Sequence, residues 1–257
     1  MIFGVFLKKN NKILLLGGSG NLGKAIIKSN LFDYLYFPSK KKLNLLDNPE
    51  IKKTLVSKKI DLVINCAAVA KVIDCEKNPK MAFKINIVGT ENLVSQIKQA
   101  EKNLRKKIKL IHLSSDAVYP GKKGNYKEND KLLPYNNYGW TKLLSEMSVK
   151  TLKKYLIIRT KFFDKNKIKF KESPIDSYSS RIEIRDLVSK IKYLLDIDFN
   201  GIINIGNKRQ SDFDAYKKYK KSLKPCKRKK ILKNLNVTLP IDCSMNIKLL
   251  KRLEAKR

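Results

Sequence analysis

A short apolar strand, Ile13–Leu16, runs directly into Gly17-Gly18-Ser19-Gly20-Asn21-Leu22-Gly23, and no other stretch constrains the fold as strongly. The run satisfies both Gly-x-Gly-x-x-Gly, from Gly18, and Gly-x-x-Gly-x-x-Gly, from Gly17. Glycines at these spacings permit a tight turn and let a pyrophosphate approach the backbone at a helix N-terminus. The motif needs a strand before it and a helix after it, and the apolar run and the helical stretch Leu22–Ser29 supply both. Gly17, Gly20, Asn21, Leu22 and Gly23 are therefore candidate dinucleotide-binding residues.

The rest of the chain repeats this strand-then-helix rhythm. Tyr34–Phe37, Leu62–Asn65, Ile108–Leu113, Tyr155–Ile158 and Ile202–Ile205 read as further buried strands. Asn48–Lys58, Pro79–Lys102, Asn137–Lys153 and Ile184–Leu195 read as helices. Such alternation predicts an α/β fold, a Rossmann-type doubly wound parallel sheet with helices on both faces. Asp47-x-x-Glu50, with Pro49 just inside, predicts a capping-box start to the second helix. After Arg159 the pattern degrades. The expected organisation is an N-terminal extension (1–11), a dinucleotide-binding domain (12–160) and a small C-terminal substrate region (161–257), with 181–205 returning to the main domain.

A net charge of +34 asks whether nucleic acid is the partner. The charge is mostly Lys, whereas Arg is favoured for bidentate phosphate and base contacts. It is also spread along the chain beside heavy use of Asn and Ile, which points to a compositional bias of A/T-rich codons. No specific nucleic acid is expected. The apolar Met1–Leu7 is too short to span a membrane. Cys66, Cys75, Cys226 and Cys243 show neither Cys-x-x-Cys nor zinc spacing with the single His112, so no metal is expected and a reduced, cytoplasmic chain fits. His112 lies inside an apolar run and reads as a structural strand histidine.

Two further clusters carry chemistry. Ser114-Ser115 ends an apolar strand, and Tyr138-x-x-x-Lys142 opens a helix about two dozen residues later. Residues four apart share a helix face, so Lys142 is expected beside Tyr138, favouring its phenolate and making the phenol a usable acid or base. With the Ser115 hydroxyl, such a pair can protonate a carbonyl oxygen while a hydride reaches its carbon.

With these motifs in order, the chain resembles an extended short-chain dehydrogenase/reductase. Within that group it is most similar to the dTDP-4-dehydrorhamnose reductase branch of sugar-nucleotide reductases. Supporting segments are Asn65-Cys66-Ala67-Ala68-Val69, Asp74–Pro79 with Ala82–Asn86, Ser114–Gly121 and Leu239–Met245. The resemblance is dense over 12–160 and thin beyond. It implies that Ser115, Tyr138 and Lys142 are catalytic, with Lys142 also binding the nicotinamide ribose. It places Asn44 and Leu45 at the adenine, Ala67, Ala68 and Val69 along the cofactor, and Asp116 and Phe162 at the substrate.

Phe37-Pro38-Ser39-Lys40-Lys41 offers no acidic residue for a ribose 2′-hydroxyl, while Ser39 and Lys40 could hold a 2′-phosphate. NADP(H) is therefore preferred, with NAD(H) as the alternative. The segment after Phe162 is shorter than the family usually has. Ala117 follows Asp116 where sugar-nucleotide dehydratases typically carry Glu, which argues against dehydration. The expected function is reduction of a 4-keto nucleotide-linked deoxysugar in surface polysaccharide biosynthesis, with a nucleotide sugar as substrate and room for a homodimer. A sugar-nucleotide epimerase and a non-catalytic dinucleotide-binding regulatory subunit stay open.

Overall fold

The computed structural model describes residues 11–233 and 238–256, so the Met1–Leu7 stretch and most of the expected N-terminal extension lie outside the described residues. Six parallel strands form the main sheet: β1 (Ile13–Leu16), β2 (Leu35–Tyr36), β3 (Leu62–Asn65), β4 (Lys109–Leu113), β5 (Tyr155–Thr160) and β6 (Gly201–Ile205). Their order is β6-β5-β4-β3-β1-β2. The chain winds outward from β1 to β2, then crosses back to place β3 on the other side of β1. That reversal opens a crevice at the carboxyl ends of β1 and β3, where open α/β sheets hold their ligands.

The strands explain why the sheet is buried on both faces. Ile13 and Leu15 belong to one apolar cluster, with Ile64, Ile111, Ile158 and Ile203. Leu14 and Leu16 belong to a second, with Val63, Leu110 and Ile157. Alternate side chains point to opposite faces of a strand, so a continuous apolar run feeds two cores. Ile26 of α1 (Asn21–Ser29) and Leu187 and Ile191 of α7 (Ile184–Asp196) close the first. Ile51 of α2 (Asn48–Ser57) and Leu93 and Ile97 of α5 (Gly89–Leu104) close the second. Each fully buried Leu or Ile contributes about 1.5–3 kcal/mol. The C-terminal helix Lys248–Glu254 also reaches the first core through Leu250, so the tail joins the main layer as well as the substrate region.

Two local expectations change. The single helix expected over 79–102 is three pieces: α4 (Pro79–Phe83), a π-helical turn at Lys84–Val88, and α5; the preceding α3 (Val72–Lys77) was not expected. The wide turn holds Asn86, whose side chain makes long-range bonds described below. The capping box on α2 is half formed. Asp47 Oδ1 accepts from the Glu50 N–H at 3.2 Å, but the Asp47 N–H donates to the Asn44 carbonyl, which leaves Glu50 nothing to cap.

Beyond β5 the described residues form three short ladders. Phe162–Phe163 pairs with Ile182–Glu183, Glu172–Pro174 with Lys224–Cys226, and Tyr178–Ser179 with Gln210–Ser211. No described helix is long and apolar enough to cross a membrane.

Candidate active site

The glycine turn is built to bring backbones together. Gly17 has φ +79°, and a Cβ there would lie 2.6 Å from both the Ala67 nitrogen and the Cys66 carbonyl carbon. A Cβ on Gly23 would meet the Gly17 carbonyl oxygen at 2.3 Å. Any side chain at either position would push the turn away from β3 or α1 away from the turn. Gly20 is the N-cap of α1, with no side-chain cap and no acidic residue in the first turn. The first N–H groups of a helix need acceptors, and this end has no anionic side chain of its own to supply them. Phe37 packs beside Gly18, and Leu35–Ser39 with Lys42 line a surface hollow of about 360 Å³ next to the turn. Ser39 lines it and is exposed, as is Lys40 next in the chain, which does not line the hollow.

On the other side of the crevice, the Ala67 N–H donates to Asn65 Oδ1 at 3.1 Å. Asn86 clamps Val69 twice, accepting from its N–H at 2.7 Å and donating to its carbonyl at 3.0 Å. The same Nδ2 donates to Thr141 Oγ1 at 2.9 Å. Thr141 lies between Tyr138 and Lys142 on α6 (Asn137–Val149), so one buried amide ties the Ala67–Val69 segment to the helix carrying the tyrosine.

Gly139 sets how close that helix comes to Ser115. A Cβ on it would lie 2.3 Å from the Ala117 carbonyl oxygen and 2.9 Å from Pro134 Cβ. The first turn of α6 is held by Asn136, which accepts from the Gly139 N–H at 2.8 Å. Glu76 of α3 holds it too, accepting from the Asn137 backbone (2.8 Å) and side-chain amide (2.6 Å). Ser115 Oγ accepts from the Ala117 N–H and donates to Asp116 Oδ1, each at 3.1 Å.

Electrostatics here differ from the sequence expectation. Burial pushes the Tyr138 phenol above its ordinary value, opposed by hydrogen bonding to Ser115 and assisted by the nearby Asp116 charge. The expected stabilisation of its phenolate by Lys142 is not found. Lys142 is 3% exposed and turns to His112, with Nζ 3.3 Å from Nε2. Burial draws the Lys142 amine down to about 8, against the raising influence of Glu146 and the Cys66 and Cys75 thiols. His112 is buried, and Nε2 also lies 2.9 Å from Ser145 Oγ; burial, then the Lys142 charge, hold the imidazole neutral. The spacing of four put Lys142 on the right face, but the inward packing of α6 against β4 chose its partner.

Beneath the site, Arg159 and Glu146 form a buried bidentate pair, Nη2–Oε2 at 2.7 Å and Nε–Oε1 at 3.0 Å. Ser114 Oγ also donates to Glu146 Oε1. This joins α6, the end of β5 and the residue before Ser115 in one network. Among the described residues, four buried side-chain atoms lack a hydrogen-bond partner: Asn65 Nδ2, His112 Nδ1, Asp116 Oδ2 and Thr160 Oγ1. Asn65 and Thr160 end β3 and β5, and Asp116 follows β4 closely. The Asp116 oxygen nevertheless has the Lys161 ammonium 3.7 Å away, an ion pair without a hydrogen bond.

The structure thus brings Gly17 together with Cys66 and Ala67 across one crevice, and Ser115 together with Tyr138 and Asp116, with Lys142 one turn along α6 and facing His112. Phe162 is half-buried at the start of the substrate region, packed on the first core. Leu22 and Leu45 send their side chains into the cores, and the Asn44 side chain accepts from the Leu46 N–H. Sequence reasoning missed Glu76, Gly139 and Glu146. Only Gly139, a glycine inside an otherwise helical run, left a signal in the sequence.

The RmlD substrate binding domain profile matches residues 11–185. The chain belongs to this family. Its RmlD-type fold superposes on the dTDP-4-dehydrorhamnose reductase of Bacillus anthracis in complex with NADP at a TM-score of 0.82 and 23% identity, covering 95% of this chain and 92% of that one. A probable low-salt glycan biosynthesis reductase of Haloferax volcanii is 34% identical over 122 residues, 47% of this chain and 39% of the relative. Methionine adenosyltransferase 2 subunit beta of Xenopus tropicalis is 33% identical over 147 residues, 54% of this chain and 42% of the relative. The chain therefore spans less than half the length of these two curated relatives.

Proposed function

We propose that this chain is an NADPH-dependent reductase of a 4-keto nucleotide-linked deoxysugar. The observation that supports the reading is the Tyr138 phenol beside the Ser115 hydroxyl, on a helix that also carries Lys142, in a sheet whose glycine turn opens a helix N-terminus with no anionic cap of its own. The residues present fit the cofactor. The turn from Gly17 to Gly23 suits the pyrophosphate, Ser39 and Lys40 suit a 2′-phosphate, Ala67–Val69 line the crevice, and Tyr138 and Lys142 suit the nicotinamide ribose. When bound, a reduced nicotinamide supplies hydride to the carbonyl carbon. Tyr138, a phenol and so protonated at neutral pH, donates its proton to the carbonyl oxygen. Ser115 hydrogen-bonds the developing alkoxide. Carbonyl, hydride and proton become a secondary alcohol, and the tyrosine recovers its proton from solvent.

The likeness in fold to an NADP complex and the relative named as a glycan biosynthesis reductase support this reading. The relatives named methionine adenosyltransferase 2 subunit beta support a second one, a dinucleotide-binding regulatory subunit. Incubation with dTDP-4-dehydrorhamnose and NADPH separates them. The reductase reading expects stoichiometric loss of NADPH with formation of the alcohol. Stable co-purification with another enzyme and no NADPH loss on any keto-sugar nucleotide would favour the regulatory subunit; sugar isomerisation without net NADPH loss would favour an epimerase.

A further inference from the structure

His112 is the single histidine of the chain, and its buried ring reaches from β4 to α6. Nε2 faces two groups of that helix at once, Ser145 Oγ at 2.9 Å and Lys142 Nζ at 3.3 Å, while Nδ1 has no partner. Ser145 Oγ also lies 2.8 Å from the Lys142 carbonyl oxygen, so its one hydroxyl proton can serve either the carbonyl or the ring. Lys142 is 3% exposed. Among the described residues, His112 is the one hydrogen-bonding partner of its ammonium, with no carboxylate in salt-bridge range.

Burial keeps the imidazole neutral, so it carries one proton, and its neighbours ask for that proton in opposite places. With the proton on Nε2, the ring donates to Ser145 and Ser145 to the carbonyl, but the Lys142 ammonium then faces an N–H and is stranded. With the proton on Nδ1, bare Nε2 accepts from the ammonium and from the Ser145 hydroxyl, while the carbonyl keeps its place inside α6. Only the Nδ1–H is then stranded. Leaving a buried charge unpaired costs more than leaving a neutral donor unpaired, so the second arrangement is favoured.

We propose that His112 is a positioning residue for Lys142: bare Nε2 anchors the ammonium and leaves its remaining N–H groups for the nicotinamide ribose. The ribose contact rests on the reductase reading above; the anchor does not. Nitrogen NMR of the histidine-labelled protein, at neutral pH where the Lys142 amine is charged, reads which ring nitrogen carries the proton. The expected proton sits on Nδ1 in the native protein and on Nε2 in Lys142→Met, where the ring can donate to Ser145 and no N–H is stranded. NADP affinity is then measured by calorimetry on the native protein, His112→Gln and His112→Leu, with melting temperature confirming that the variants fold. Gln brings an acceptor oxygen close to the Nε2 position and Leu brings none. Anchoring expects His112→Gln within about threefold of native and His112→Leu weaker by about tenfold or more. A packing role alone would favour Leu over Gln in this apolar strand. A native proton on Nε2, a proton that stays on Nδ1 in Lys142→Met, or equal NADP affinity in the Gln and Leu variants overturns the anchor. The native imidazole needs no variant, so it decides the matter where His112→Leu does not fold. The expected imidazole, shifted by Lys142→Met in a protein that binds no NADP, upholds the anchor and sinks the reductase reading instead.

Discussion

Removing Arg159 tests whether the network under the site holds it together. Arg159 and Glu146 are 1% and 0% exposed and share two hydrogen bonds. Arg159 Nη1 also donates to Tyr119 Oη at 3.0 Å and to the Glu128 carbonyl at 2.8 Å. Arg159→Met keeps the aliphatic stem but strands the Glu146 carboxylate, with Ser114 as its remaining donor. Breaking one side of such a pair costs about 3–5 kcal/mol, because a buried charge is left uncompensated. At about 2–4 °C per kcal/mol for a chain of this size, the melting temperature falls by roughly 6–20 °C. Glu146→Met should cost a similar amount. The double variant, with both charges gone and similar volume kept, should lose less than either single variant, and a double-mutant cycle on urea-unfolding free energies measures the coupling. A single-variant loss below about 1 kcal/mol, or a double variant that simply sums the two, would refute the claim that this pair is a desolvated, mutually dependent unit.

Two other perturbations follow from the same geometry. Gly139→Ala should cost about 1–3 kcal/mol, since its Cβ meets the Ala117 carbonyl. It should also lower kcat severalfold beyond the stability loss while leaving NADPH affinity near native, because α6 must back away from Ser115; an unchanged kcat counts against that placement. Lys142 supplies a pH signature. Its folded amine titrates near 8 against 10.5 unfolded, so between those values the unfolded chain binds more protons and stability rises with pH. The unfolding free energy of the native protein minus that of Lys142→Met should climb by up to about 3 kcal/mol across that window, and a flat difference contradicts the burial argument.

The parts of this fold legible in the sequence are those where a local rule leaves few choices. The Ile13–Leu16 run followed by spaced glycines demands a strand, a tight turn and a helix, and it holds with Gly17 at positive φ. Apolar runs located the other strands within a residue or two. What stayed hidden was pairing across distance. Glu76 with Asn137, Glu146 with Arg159 and Asp116 with Lys161 are polar contacts between elements, and in a chain with 57 basic residues no spacing rule singles out the right partner. Lys142 shows the same limit from the other side. Helical periodicity places its Cβ near Tyr138, but only the tertiary position of His112 on β4 reveals where the amine goes.

The central claim is that Tyr138 is the proton donor of a reducing centre built on the Ser115–Lys142 cluster. Its most direct test pairs two readouts on Tyr138→Phe: NADPH affinity, and turnover of dTDP-4-dehydrorhamnose followed by loss of reduced nicotinamide. Native-like NADPH binding with turnover reduced by about 10²-fold or more is the predicted result. Turnover within a few-fold of native, with the cofactor still bound, would contradict it.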